Sequence, residues 1–150
     1  MKTIRWILTY PLAIAVGATF MLWLHNLSGQ LIPEAALELL PLGDQEAMKS
    51  HILALPASAK WSVMFSHWLG TASAAAVAMI LAPVSLDWIK SKPTWLATLP
   101  GSVMGLFFLI GGIANATSIP MPAWMLITDL AGYFPMGFLA ARVMLKAWKA

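Results

Sequence analysis

An acid and a base lie inside long apolar stretches of this sequence, Asp129 and His67. An imidazole beside a carboxylate holds a shared proton, relays it or binds an ion. A membrane carboxylate costs about 2.5–3.5 kcal/mol even on a lenient insertion scale, so Asp129 requires a partner, water or a proton, and His67 is the best partner in the chain. Tyr133 follows Asp129 by one helical turn, and Asn115 and His25 supply further hydrogen-bonding groups to the same candidate cluster. Two roles fit it equally: an ionisable centre for a small solute, ion or proton, or a hydrogen-bonded lock between two helices.

Other chemistries have weaker support. The chain has no Cys, which removes disulfides, thiolate metal sites, thiol nucleophiles and iron–sulfur clusters. The three histidines and Asp129 form no compact zinc motif, and His51 belongs to a loop. His25 and His67 could ligate haem between two helices, with Gly70 and Ala74 giving the ring room. Met21, Met104, Met125 and Met136 fall on or near inward faces and have the softness Cu(I) prefers, but methionine is also ordinary core filler. No metal or cofactor is therefore expected. With no P-loop, dinucleotide fingerprint, G-x-S-x-G or H-E-x-x-H, the common soluble enzyme chemistries have no local support, and the reading leans against an enzyme.

The residues around this cluster set the fold class. Of 150 residues 60% are hydrophobic and only 10% charged, against about a quarter in soluble domains, so the chain belongs in a lipid bilayer. Between Arg5 and His25 run 19 residues without charge, about 28 Å of helix, enough to cross the hydrocarbon core. Similar runs, broken at the proline- and polar-rich turn Asn115–Pro122, predict helices over about 6–27, 61–84, 94–115 and 123–145. The expectation is one all-α domain spanning residues 1–150, a four-helix transmembrane up-down bundle. Seven of eight tryptophans fall at the ends of these helices, as indole rings do at headgroup depth; Trp68 is the exception. The start, with Ala13-Ile14-Ala15 imitating a cleavage site, is similar to a signal peptide, but the run is longer than a usual h-region and reads as a retained helix.

The loop over residues 28–60 carries Glu34, Glu38, Asp44 and Glu46 against Lys49 and Lys60. Asp44 is a good N-cap for a short amphipathic helix from Gln45 to Leu55, stopped by Pro56 and lying on the membrane surface or across the bundle end.

A 100° wheel assigns faces. The second helix turns His67, Gly70, Thr71, Ala74 and Ala78 inward and Phe65, Trp68, Leu69, Met79 and Ile80 to lipid. The third turns Gly101, Met104, Gly105, Phe108, Gly111, Gly112 and Asn115 inward, and the fourth Asp129, Gly132, Tyr133, Met136 and Ala140. On the first, Pro11, Ile14, Ala18, Met21 and His25 align. Small residues let helices approach where lipid gives little hydrophobic drive, so Gly70, Ala74, Ala78, Gly101, Gly105, Gly112 and Gly132 are the expected packing positions. His67 lies six residues beyond Trp61 and Asp129 five beyond Trp124, which puts both about 8–9 Å below one interface.

Lys and Arg set orientation. With both termini cytoplasmic, the inner segments hold Lys2, Arg5, Lys90, Lys92, Arg142, Lys146 and Lys149, against Lys49 and Lys60 outside. The net charge of +3 is then a topology signal that meets lipid headgroups, with no nucleic-acid partner implied.

The segment Gly111-Gly112-x-x-Asn115-x-x-x-Ile119-Pro120-x-Pro122-x-Trp124-x-x-x-x-Asp129-Leu130-x-x-Tyr133-x-Pro135 resembles a motif of small, uncharacterised bacterial four-helix integral membrane proteins. The preceding loop, with its Asp-x-Glu-Ala-x-Lys helix, is similar too. Those proteins often carry His between the two turn prolines, where this chain has Met121, so a histidine's ligand role does not carry over to that position. The resemblance implies a bacterial inner-membrane protein and brings no activity. Three readings follow: an outer-side pocket that binds or passes a small solute, ion or proton, in a homo-oligomer or with a membrane partner where it passes; a non-catalytic accessory subunit binding another membrane protein; or a haem- or metal-bearing redox protein.

Overall fold

The computed structural model describes residues 2–36, 41 and 43–149. Four helices in it are long and apolar enough to cross a membrane, and no strand occurs among the described residues. The chain is an all-α four-helix membrane bundle: α1 (Lys2–Leu31), α3 (Ala57–Leu81), α6 (Leu99–Ala116) and α7 (Ala123–Lys149) span, with α2 (Gln45–Ala54), α4 (Leu86–Ser91) and α5 (Thr94–Ala97) in the connections. A helix satisfies every backbone amide internally, which hydrocarbon requires. Ile7, Leu12, Val16, Leu106, Ile110, Ile127, Leu139 and Val143 accordingly stand exposed along the spans.

Proline places several boundaries where the apolar pattern does not. α3 ends at Leu81, three residues before the expected limit, because Ala82 precedes Pro83 and takes an extended ψ of 130°. It begins at Ala57, a turn earlier than expected, with Pro56 as its N-cap residue. The third span is not continuous from Thr94: Pro100 has no N–H for the carbonyl of Leu96, so the helix breaks at Thr98 into α5 and α6. α1 and α7 both run beyond their expected limits.

The bundle is not a symmetric square. α3 is its centre, packed on α1, α6 and α7; α6 also packs on α7, whereas α1 rests chiefly on α3. Backbones touch at the α1–α3 crossing, where a methyl on Gly17 would lie 2.6 Å from Ala74 Cβ and 2.8 Å from the Gly70 carbonyl. This contact corrects the expected face of α1. Thr9, Ala13 and Gly17 are buried, while Pro11 and Ala18 are exposed. Met79, expected at the lipid, is 1% exposed, and Gly111, expected inside, has open space where a methyl would stand. α1 is apolar all round and gives a wheel nothing to choose by.

At one end of the bundle Ile89, Ala97 and Leu145 pack together with Trp88 and Trp148, and Arg5 donates to the Leu81 carbonyl at 3.4 Å. At the other end lies α2, in the loop of which Glu38 falls outside the described residues. Gly43 turns the chain with φ +94°, and Asp44 then caps α2, its Oδ1 accepting from Ala47 N at 3.0 Å. Asp44→Ala is expected to weaken the first turn of α2 by about 1 kcal/mol. Amide exchange at Ala47 and Met48 should quicken severalfold while exchange within α3 stays unchanged.

Candidate functional site

α3 and α7 run in the same direction, and Trp61 lies beside Trp124 with ring centroids 6.1 Å apart. Six and five residues further on, His67 and Asp129 meet. His67 Nδ1 donates to both carboxylate oxygens, at 3.0 Å to Oδ1 and 2.9 Å to Oδ2. Tyr133 donates its hydroxyl to Oδ2 at 3.3 Å from one turn along α7, and its ring stacks on His67 at 5.9 Å. Asp129 is 2% exposed, so these donors carry most of what water would otherwise supply.

The neighbour of His67 grips the same residue from the other side. Trp68 Nε1 donates to the Asp129 carbonyl at 3.1 Å, so α7 is wedged between two consecutive side chains of α3. That wedge needs Gly132, because a methyl there would occupy the Trp68 indole. Trp68 therefore faces α7 and not lipid, which corrects its expected face. Gly112 has the equivalent role on α6: a methyl would lie 2.7 Å from Tyr133 Cε2.

His25 enters from α1. Its ring centroid is 5.2 Å from that of His67, and its Nδ1 donates to the Met21 carbonyl at 2.9 Å. Asn115 stands at the rim, exposed, and makes no hydrogen bond with Asp129. All five expected site residues thus border one cavity of about 150 Å³, but Asn115 is a rim residue and not a member of the hydrogen-bonded cluster.

The remaining walls are not legible in the sequence. Met121 and Met125 line the cavity from the turn before α7 and its first turn, and Ile52 and Leu55 close it from α2. Of the four methionines with inward positions only Met125 reaches it; Met104 fills the core beside Ala74 and Ala78, and Met21 packs on Gly70. α2 is held in place at both ends. Gln45 donates to the Ser118 carbonyl at 3.0 Å, and Lys60, itself buried, donates to the carbonyls of Leu53 and Leu55 at 2.9 and 2.8 Å. Expected as a charge of the outer loop, this lysine is a C-terminal cap.

The cavity has room for about five waters at 30 Å³ each, well below the roughly 300 Å³ at which organic-ligand pockets begin. Haem does not fit between rings this close. Among the described residues no three His, Cys, Asp or Glu side chains form a metal-binding group. No protein-family model, curated protein or solved structure matches the chain.

Proposed function

We propose that this protein is a bacterial inner-membrane protein, with both termini cytoplasmic, whose outer-side pocket binds a small ion, proton or solute. The observation that carries the reading is Asp129, a carboxylate 2% exposed between helices, held by His67 and Tyr133 at the wall of a partly open, largely apolar cavity. Intramembrane ionisable groups are expensive, and here one borders space of ionic dimensions. The seven-to-two distribution of Lys and Arg supports placing α2 outside. The motif shared with small bacterial four-helix membrane proteins is part of the same proposal, since its Gly112, Asn115, Asp129 and Tyr133 all border the cavity.

Binding is favoured over passage by a single chain. Beyond the cavity the bundle axis is filled by Ala74, Ala75, Ala78 and Met104, all 1% exposed or less. Passage would therefore require an oligomer or a second membrane protein on the exposed apolar faces.

Asp129→Asn keeps the shape of the side chain and removes its charge. In detergent, titration of the purified full chain with acid, Na⁺ and K⁺ is expected to show one proton or cation bound per chain by the wild type, and binding at least about tenfold weaker in this variant. Equal binding by both proteins, or none by either, would overturn the pocket reading and favour an accessory subunit, as would recovery of a stoichiometric membrane partner.

A further inference from the structure

Both histidines of the cavity have the same nitrogen committed. His25 Nδ1 donates to a carbonyl and His67 Nδ1 to a carboxylate, which fixes each neutral ring in the tautomer whose Nε2 carries a lone pair. Among the described residues neither Nε2 makes a hydrogen bond, and neither is a sealed, unpartnered buried atom, so both are reachable by a small species. An imidazole anchored through Nδ1 to a carboxylate or carbonyl is the arrangement that orients metal-binding histidines. Two imidazoles bound to one ion at about 2.0 Å with a tetrahedral angle have ring centroids about 5 Å apart. The observed separation is 5.2 Å.

Met121 and Met125 bring the sulfur donors among the lining residues, beside the oxygens of Asn115 at the rim and of Tyr133, whose hydroxyl is committed to Asp129. Thioethers are soft, neutral ligands that select Cu(I), and they offer little to a hard cation. Charge agrees with softness. One carboxylate, Asp129, balances one positive charge, whereas a divalent ion would leave a net charge in a low-dielectric interior. Resting on the pocket reading above, we propose that the cavity is a Cu(I) site, with His25 and His67 as nitrogen ligands, Met121 and Met125 as sulfur ligands, and Asp129 as the positioning residue that orients His67.

The test is anaerobic titration of the purified full chain in detergent with Cu(I), in competition with a chromogenic Cu(I) chelator, and in parallel with Zn(II). One equivalent of Cu(I) is expected, bound far more tightly than Zn(II), with X-ray absorption showing both sulfur and nitrogen neighbours. Met125→Leu preserves volume and apolarity, and it should retain the wild-type circular dichroism while the sulfur signal falls by about half and affinity by at least about tenfold. Asp129→Asn should weaken binding by about 10–100-fold. Absence of Cu(I) binding, or binding that Met125→Leu and His25→Gln leave unchanged, overturns the copper site. If proton or cation binding in detergent still depends on Asp129 when copper binding fails, the pocket stands and only its metal is wrong. If both fail, the pocket reading falls with it.

Discussion

Replacing His67 by leucine is expected to destabilise the bundle by about 3–5 kcal/mol, since it leaves the Asp129 carboxylate buried without its principal donor. Tyr133 remains, but a single hydroxyl at 3.3 Å does not replace two contacts near 3.0 Å. The double variant His67→Leu/Asp129→Leu should regain most of the loss, because two apolar side chains in contact carry no unpaired charge. Reversible unfolding in mixed micelles gives the four corners of the cycle, and the coupling energy separates two pictures. A neutral interhelical hydrogen bond in a membrane protein couples by about 0.6 kcal/mol on average, with a maximum near 1.7. A coupling above about 2 kcal/mol would identify an ionic pair; one near zero would mean that the contact contributes nothing.

The second large effect is at Gly132. An alanine methyl there would overlap the Trp68 indole, so either α7 or the indole must move, and both movements disturb the hydrogen bond from Trp68 to the Asp129 carbonyl. Overpacking of this kind costs about 1–3 kcal/mol. In a Trp68→Leu background the same methyl has room and should cost little, which makes the two substitutions strongly non-additive. Gly111→Ala is the control, because nothing lies within 4 Å of the new methyl and alanine is the better helix former by up to about 1 kcal/mol. If Gly132→Ala unfolds like Gly111→Ala, the close approach of α3 and α7 at this point is incorrect.

The pairing of His67 with Asp129 is legible in the sequence because two tryptophans, Trp61 and Trp124, mark a common level on α3 and α7, and equal helical rise carries both chains down to the same depth. Asp44 as the cap of α2 is legible for a local reason, the side-chain oxygen bonding to an amide three residues on. A wheel misplaces Trp68 because it sorts side chains by polarity, and an indole has both an apolar ring and a donor; only the gap left by Gly132 turns it toward α7. Lys60 looks like a topology charge since nothing local indicates that its amine reaches two carbonyls at the end of α2. Met121 lies in a turn, outside any periodic pattern, and its place on the cavity wall comes from how the turn folds back over the bundle end.

By itself the sequence determined that the chain crosses the bilayer four times as helices, since hydrocarbon tolerates no unpaired backbone amide and the apolar runs have the required length. It also determined that a carboxylate within a spanning helix needs a partner, water or a proton, and offered His67 as the best partner. The tertiary structure alone decided which sides of the helices meet, with α3 at the centre and α1 turned onto Gly70 through Gly17. It likewise decided that two imidazoles and two thioethers border one space. The physical reason is that lipid and helix interior are almost equally apolar, so polarity patterns specify depth but hardly specify rotation. Rotation is fixed by close contact between small residues, a property of pairs of helices that no single segment encodes.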